Sequence, residues 1–312
     1  MPVRSVSPCR SMTGHQIKGE SSNRSRGQND HPHRGKVNRG RRLSPTRVRE
    51  FQRAIYRHYR IHGRTFPWRR THNPYHILVS EIMLQQTQTE RVVHKYEQFI
   101  NSFPDFASLA QAPLREILKV WQGLGYNRRA IALKNIARTV ARNFQGNLPS
   151  SPETLMSLPG IGRATACAIC AFAFNEPVVF IETNIRRVFI HHFFQKENDV
   201  KDTQMLPLVE KTLDTSNPRK WYFALMDYGV MLKKQHQNPN RKSAHYQKQP
   251  PFEGSNRQIR GMILRALTAE SPISQQEIAK RLGMDPERVR GNLIQLQREG
   301  FIKRRGHRFT IA

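Results

Sequence analysis

The chain has 312 residues, and 52 Lys and Arg against 23 Asp and Glu leave a formal net charge of +29. A field of that size calls for a polyanionic partner, nucleic acid before a merely basic-tailed or ribosome-associated protein. Three cysteines, Cys9, Cys167 and Cys170, cannot build a disulfide framework, and no apolar run approaches the ~18–20 residues of a membrane span.

Residues 1–42 hold ten Lys and Arg, two acids and no aromatic residue. Such a segment cannot bury enough apolar surface to fold. It reads as a solvated basic tail that adds phosphate affinity, or as the product of a start codon placed too early. An organelle transit peptide is also Arg- and Ser-rich, but no amphipathic apolar face is visible.

From Leu43 the apolar residues take a helical period: Phe51, Ile55, Tyr56 and Tyr59 share one face. Phe66-Pro67-Trp68-Arg69 breaks that helix. Pro74 opens another, which carries Glu81 and runs to about Gln86. Val92, Val93, Tyr96, Phe99, Ile100 and Phe103 mark a third, and Leu114 to Val140 continue the period. The brief run Val178–Ile181 is the one alternating segment visible before residue 300. The spacing predicts an all-α unit over 43–232.

Residues 233–254 lose the period and read as an ordered or semi-ordered linker. Three helical segments follow, Arg257–Leu267, Ser274–Leu282 and Pro286–Glu299. Two short strands about Gly306-His307 come next. Three helices and a hairpin make a small winged-helix (α+β) unit over 255–312. Its third helix faces a DNA groove if it binds DNA; a protein–protein role stays equally open.

The most informative stretch is Leu158-Pro-Gly-Ile-Gly162. Two glycines spaced one apart after a proline make a tight turn, between a short amphipathic helix and a small-residue helix over about Arg163–Phe174. That is a helix-hairpin-helix, and the free N–H groups opening its second helix form a phosphate site. Twenty residues on, Glu182 stands just ahead of Arg186 and Arg187, which points to chemistry on a nucleic acid. Cys167 and Cys170 have the CxxC spacing, but in an Ala-rich helix they read as small apolar fillers.

The strings FPWR (66–69), SEIMLQQTQ (80–88), WQGLGYNRRA (121–130), LPGIGRATA (158–166) and ETNIRRV (182–188) occur in this order. The set resembles the helix-hairpin-helix DNA glycosylases of the endonuclease III superfamily, and within them the MutY-type adenine DNA glycosylases. The resemblance spans roughly 50–232. It implies the glycosylase fold and a partner of double-stranded DNA bearing a mismatched or damaged base. It further implies excision of adenine opposite 8-oxoguanine or guanine, a monomer, and a cytoplasmic, nucleoid-associated location. A thymine or uracil mismatch glycosylase on the same fold, or a DNA-binding protein without catalysis, are the alternatives.

A glycosylase needs one carboxyl protonated as general acid and a second ionised against an oxocarbenium-like sugar. By resemblance Glu81 is the acid and Glu182 the stabiliser. The family usually has Asp-Gly-Asn where this chain has Glu182-Thr183-Asn184, so the carboxylate reaches one methylene further; capping of the following helix is its structural alternative. Gln85, Gln86 and Tyr126 match the family's wedge residues. Leu158, Gly160, Ile161, Gly162 and Arg163 match its phosphate-gripping hairpin, and Asn184 and Arg187 its DNA-binding surface. Arg128, Arg129 and Arg186 are candidate phosphate contacts.

Ala164 stands where bifunctional relatives carry a Schiff-base lysine, which implies a monofunctional enzyme. Most relatives follow the MDxG helix with four cysteines for a [4Fe–4S] cluster. Here Met226-Asp227-Tyr228-Gly229 is followed by no cysteine at all, so no metal and no cofactor is expected. A winged helix follows in place of the domain that inspects 8-oxoguanine in relatives.

Overall fold

A computed structural model describes residues 43–248 and 250–312; the basic tail expected over 1–42 lies outside these. The helices in order are α1 (Pro45–His62), α2 (Pro74–Leu84), α3 (Thr89–Ser102), α4 (Phe106–Gln111), α5 (Leu114–Trp121), α6 (Arg128–Asn143) and α7 (Pro152–Met156). Then come α8 (Arg163–Phe174), α9 (Thr183–Phe193), α10 (Asp202–Thr212) and α11 (Pro218–Gln235). Short 3-10 turns lie at Pro67–Arg69 and Pro239–Lys242. The C-terminal unit is α12 (Asn256–Ala269), β1 (Ile273–Ser274), α13 (Gln275–Leu282), α14 (Pro286–Arg298), β2 (Ile302–Arg305) and β3 (Arg308–Ile311).

Helix starts follow from local chemistry. Asn73 Oδ1 accepts from the Tyr75 N–H at 2.9 Å, with Pro74 in the first turn where its missing N–H costs nothing. Ser274 and Glu277 form a reciprocal capping box at the start of α13. The Val178–Ile181 run is not a strand: it is extended chain between α8 and α9 with no ladder partner. The sheet instead gains β1, too short to show an alternation, and its order is β1-β3-β2, all antiparallel.

The core joins distant segments. Phe51 of α1 meets Phe189 and Phe193 of α9 and Trp221 of α11, with ring centroids 5.1–5.9 Å apart. Trp221 is fully buried, and side chains of this kind each contribute about 2–3 kcal/mol on leaving water. Gly229 lets α11 touch α9: a Cβ there would stand 2.5 Å from the Asn184 carbonyl oxygen. The FPWR and MDYG motifs meet around one buried charge. Asp227, 3% exposed, accepts from Arg69 Nη1 and Nη2 at 2.8 and 2.9 Å, and from the Arg64 N–H and Nε at 2.8 and 2.7 Å.

The segment read as a linker is in part packed. Helix α11 runs on to Gln235, and the Pro239–Lys242 turn folds back onto α9. Val200 N–H donates to Lys242 O at 2.8 Å and Ala244 N–H to Val200 O at 3.0 Å. The winged-helix unit is docked too. Helix α12 lies along α5; Gln122 donates to Thr268 Oγ1 at 2.7 Å, and Arg115 to the Thr268 and Ala269 carbonyls at 3.0 and 3.2 Å. No described helix is long and apolar enough to cross a membrane.

Candidate active site

Helix α2 has apolar neighbours on both sides of Glu81: Leu78, Val79, Ile82 and Met83 are all buried. Glu81 itself is partly buried. Burial raises its pKa, the Glu182 charge raises it further, and Arg69 opposes both; the outcome is about 8. Glu81 therefore keeps its proton at neutral pH.

Glu182 is the N-cap of α9. Its Oε1 accepts from the Asn184 and Ile185 N–H groups, both at 2.8 Å, and its Oε2 accepts from Asn184 Nδ2 at 3.2 Å. Burial raises its pKa, and these N–H donors with the nearby Arg187 and Arg186 offset only part of the rise. The capping alternative and the chemical one thus coexist. The longer side chain reaches the first-turn amides and still acts on Glu81.

The hairpin has the expected turn. Gly160 has φ +78°, and a Cβ there would come within 3.0 Å of the Ala132 Cβ, so this glycine is required by conformation and by space. Gly162, the N-cap of α8, has φ −86° and open space around it. Its small size is not demanded by the protein itself. Leu158 and Ile161 are buried; any DNA contact from them is through backbone, because their side chains belong to the core. Arg163 is exposed, and Ala164 is exposed in the first turn of α8 with no nucleophilic atom.

Several residues expected to contact DNA turn inward. Arg187 is 4% exposed. It donates to Asn184 Oδ1 at 2.7 Å, Gly229 O at 2.8 Å and Asn238 Oδ1 at 3.2 Å. A guanidinium so engaged ties α9 to α11 and to the following turn and does not reach a phosphate. Asn184 is correspondingly held between Glu182 and Arg187. Arg186 grips Asp202 with two bonds at 2.8 and 2.7 Å. Arg129 is buried and donates to the Ile82, Met83 and Gln85 carbonyls at 2.6–3.0 Å, and to Gly125 O at 3.0 Å. It caps the C-terminus of α2 and fastens the Gly123–Tyr126 loop beneath it. Spacing alone places all of these on helices, but only packing shows which face is covered.

The wedge candidates divide. Gln85 Nε2 donates to Gly160 O and Thr165 Oγ1, each at 3.2 Å, so it links α2 to the hairpin. Gln86 and Tyr126 both have left-handed backbone, φ +53° and +46°, and both line a cavity of about 720 Å³ at the junction with the winged helix. Tyr126 is half-buried at that edge, not packed in the core. Arg69 went unrecognised as part of the site. Its motif was visible, but its action on Glu81 depends on the Asp227 pairing that fixes it.

The residues after α11 do not suit an iron–sulfur cluster. No cysteine follows Cys170, and no group of three or more His, Cys, Asp or Glu able to hold a metal occurs among the described residues. Polar contacts occupy the place instead: Asn240 Nδ2 donates to Thr183 O at 2.9 Å, and Asn238 receives Arg187. This fixes the first turn of α9, where Glu182 sits. Cys167 and Cys170 are buried and form no disulfide, and burial pushes Cys170 up to about 12.

Residues 79–210 match the HhH-GPD superfamily of base excision DNA repair proteins, and residues 257–303 match a winged helix-turn-helix DNA-binding family. The chain is 37% identical over 187 residues to the adenine DNA glycosylase of Buchnera aphidicola subsp. Baizongia pistaciae, covering 58% of this chain and 52% of that protein. It is 32% identical over 197 residues to the Homo sapiens adenine DNA glycosylase, covering 59% of this chain and 36% of that one. The chain spans about half the length, or less, of these relatives. Among solved structures, a thermostable thymine-DNA glycosylase aligns with TM-score 0.56 and 27% identity, covering 62% of this chain and 91% of that one.

Proposed function

Since residues 79–210 match the HhH-GPD superfamily of base excision DNA repair proteins, we propose that the chain is a monofunctional DNA glycosylase that removes adenine mispaired with 8-oxoguanine or guanine. The observation that carries the reading is the coupled pair Glu81 and Glu182, with Glu81 held protonated up to about pH 8. The names of these relatives support adenine as the base.

Duplex DNA docks by phosphates on the hairpin amides that open α8, at Gly162 and Arg163, and exposed cations add sequence-independent affinity. The target nucleotide leaves the stack, and Gln86 and Tyr126 occupy the space it vacates. Glu81 delivers its proton to the purine as the N-glycosidic bond breaks. Glu182 faces the oxocarbenium-like sugar as an anion, and Glu81, now ionised, takes a proton from the water as its oxygen bonds to the anomeric carbon. With alanine at 164, no amine is available there for a Schiff base, so the product is an abasic strand with its backbone intact. The reaction needs no metal in this reading; purified protein should lack stoichiometric iron and should keep its activity in EDTA.

The thymine or uracil alternative retains one supporting observation, the alignment with a thymine-DNA glycosylase over most of that protein's length. A base-release assay on A:8-oxoguanine, A:G, T:G and U:G duplexes, with alkaline scission afterwards, separates the readings. Adenine release from the first two supports the proposal. Release of only thymine or uracil replaces it, and release of nothing leaves a DNA-binding protein.

A further inference from the structure

Tyr126 is held by a residue outside the glycosylase domain. Arg257, in the first turn of α12, donates from Nη1 to Tyr126 Oη at 2.6 Å. Its guanidinium also lies over the ring, 5.6 Å from the centroid, and Arg129 lies 5.5 Å from the same centroid. Arg257 is itself fixed, because Nη2 donates to Pro250 O at 2.9 Å. The loop backbone is fastened separately by Arg129 through Gly125 O.

The junction is further locked by Glu299 at the end of α14. It accepts from Arg128 of α6 at 2.5 Å and from Arg260 of α12 at 2.7 Å, and these partners lower its pKa to about 2. A side chain on a left-handed, glycine-flanked loop has little intrinsic reason to keep one orientation. Two cations on its ring and a charge-assisted bond to its hydroxyl supply that reason. The ring is thereby presented at the rim of the 720 Å³ cavity lined by Gln86, Tyr126 and Arg257.

We propose that Arg257 is a positioning residue for Tyr126, through which the winged-helix unit holds the glycosylase domain's wedge ring ready for base extrusion. This rests on the glycosylase reading and adds to it a second task for the winged helix, besides any DNA contact of its own. Arg257 touches neither the target base nor the sugar. It acts by denying Tyr126 other rotamers, so its contribution falls on the unstacking step.

The test is a double-mutant cycle in the full chain with Arg257→Gln, Tyr126→Phe and the double variant, plus Arg257→Lys. A 2-aminopurine beside the mismatch reports unstacking, and single-turnover base release reports the overall reaction. Thermal melts establish that each variant is folded. Each single variant should slow unstacking about tenfold, the scale of one charge-assisted hydrogen bond. The double variant should be no slower than Arg257→Gln alone, because that change already removes the bond that Tyr126→Phe removes. Arg257→Lys should stay slow, since an ammonium cannot reproduce the planar fork and ring contact.

Multiplicative effects in the double variant would overturn the proposal. So would full rescue by lysine, which would reduce the role to bare charge. A salt slope lowered by about 0.9 in Arg257→Gln with unstacking unchanged would make the residue a phosphate contact instead. If the wild-type chain neither unstacks nor releases a base, the glycosylase reading falls and this proposal with it. An active wild type with an additive cycle removes this proposal alone.

Discussion

Glu81 near the end of α2 and Glu182 at the start of α9 lie near enough that the charge of Glu182 raises the Glu81 pKa. Two elements separated by a hundred residues of chain thus act as one titrating unit. Glu182 cannot be moved without altering both the cap of α9 and the proton affinity of Glu81, and this shapes the first two expectations.

Glu81→Gln removes the deliverable proton while keeping size and polarity. General acid–base catalysis contributes typically 10²–10⁴-fold, so single-turnover base release should drop at least about a hundredfold with duplex affinity little changed. In the wild type, activity should fall as pH rises through about 8, where Glu81 loses its proton. The same residue sets a stability trend. Its folded pKa lies above the unfolded one, so the stability it contributes is full below the unfolded value and is lost as pH rises through about 8. Glu81→Gln should therefore melt a few degrees higher than wild type at pH 8–9, and calorimetry at several pH values would detect the opposite.

Glu182→Asp and Glu182→Gln separate capping from chemistry. Aspartate is a strong N-cap, so Glu182→Asp should keep the melting temperature but withdraw the carboxylate by about 1.5 Å and slow base release. Glu182→Gln keeps an acceptor for the Asn184 and Ile185 amides yet loses the charge, so turnover should collapse while DNA binding persists. A faster Glu182→Asp enzyme would mean that the longer acid is a handicap.

Asp227→Asn breaks the buried pairing that joins the FPWR and MDYG motifs. Arg69 is then left buried and underpaired, and urea unfolding should show a loss of about 3–5 kcal/mol. The Asp227 carboxyl lies below the usual range, held there chiefly by Arg69 against the cost of burial. Its contribution is present above the unfolded pKa and disappears as pH falls through the folded one, so wild type should lose stability in acid more steeply than Asp227→Asn.

Gly160→Ala and Gly162→Ala should differ in kind. Gly160 has positive φ and a close neighbour in Ala132, so alanine there should cost about 1 kcal/mol or more in stability. Gly162 has ordinary φ and open space. Alanine there should leave the melt unchanged and weaken duplex affinity by obstructing a phosphate. Equal affinity for Gly162→Ala would move the DNA path away from the hairpin.

Strand cleavage offers a simpler check. With Ala164 exposed in the first turn of α8, borohydride should trap no covalent enzyme–DNA adduct, and scission should require added alkali. Efficient trapping would identify another amine in the site.

The helical period made α1, α3, α5, α6 and the winged-helix helices legible, because each buries one regular face, whereas α4 and α10 had no such reading. The turn at Gly160 was legible from Pro-Gly-Ile-Gly, since few residues accept that backbone. The destination of the arginines was not. Arg128 and Arg129 are adjacent in sequence, yet one is bound at the surface to Glu299 and the other is buried beneath α2. Arg187 likewise follows Arg186 but turns inward to Gly229 O. Such differences depend on tertiary placement and on which carbonyls lack partners, neither of which has a sequence period. The two-residue strand β1 was missed for a related reason: it exists only because β3 lies beside it.

Arg115 of α5 supplies hydrogen bonds to Thr268 and Ala269, the terminal carbonyls of a helix in the other folded unit. Those carbonyls have no partner within their own helix, and the guanidinium lies at the negative end of its dipole. The last turn of α12 is therefore completed by a residue from far upstream in the chain. Heat should not release the winged helix first as a loose appendage. Opening the contact frays α12 and uncovers the α5 face together, so the two units share one melting event.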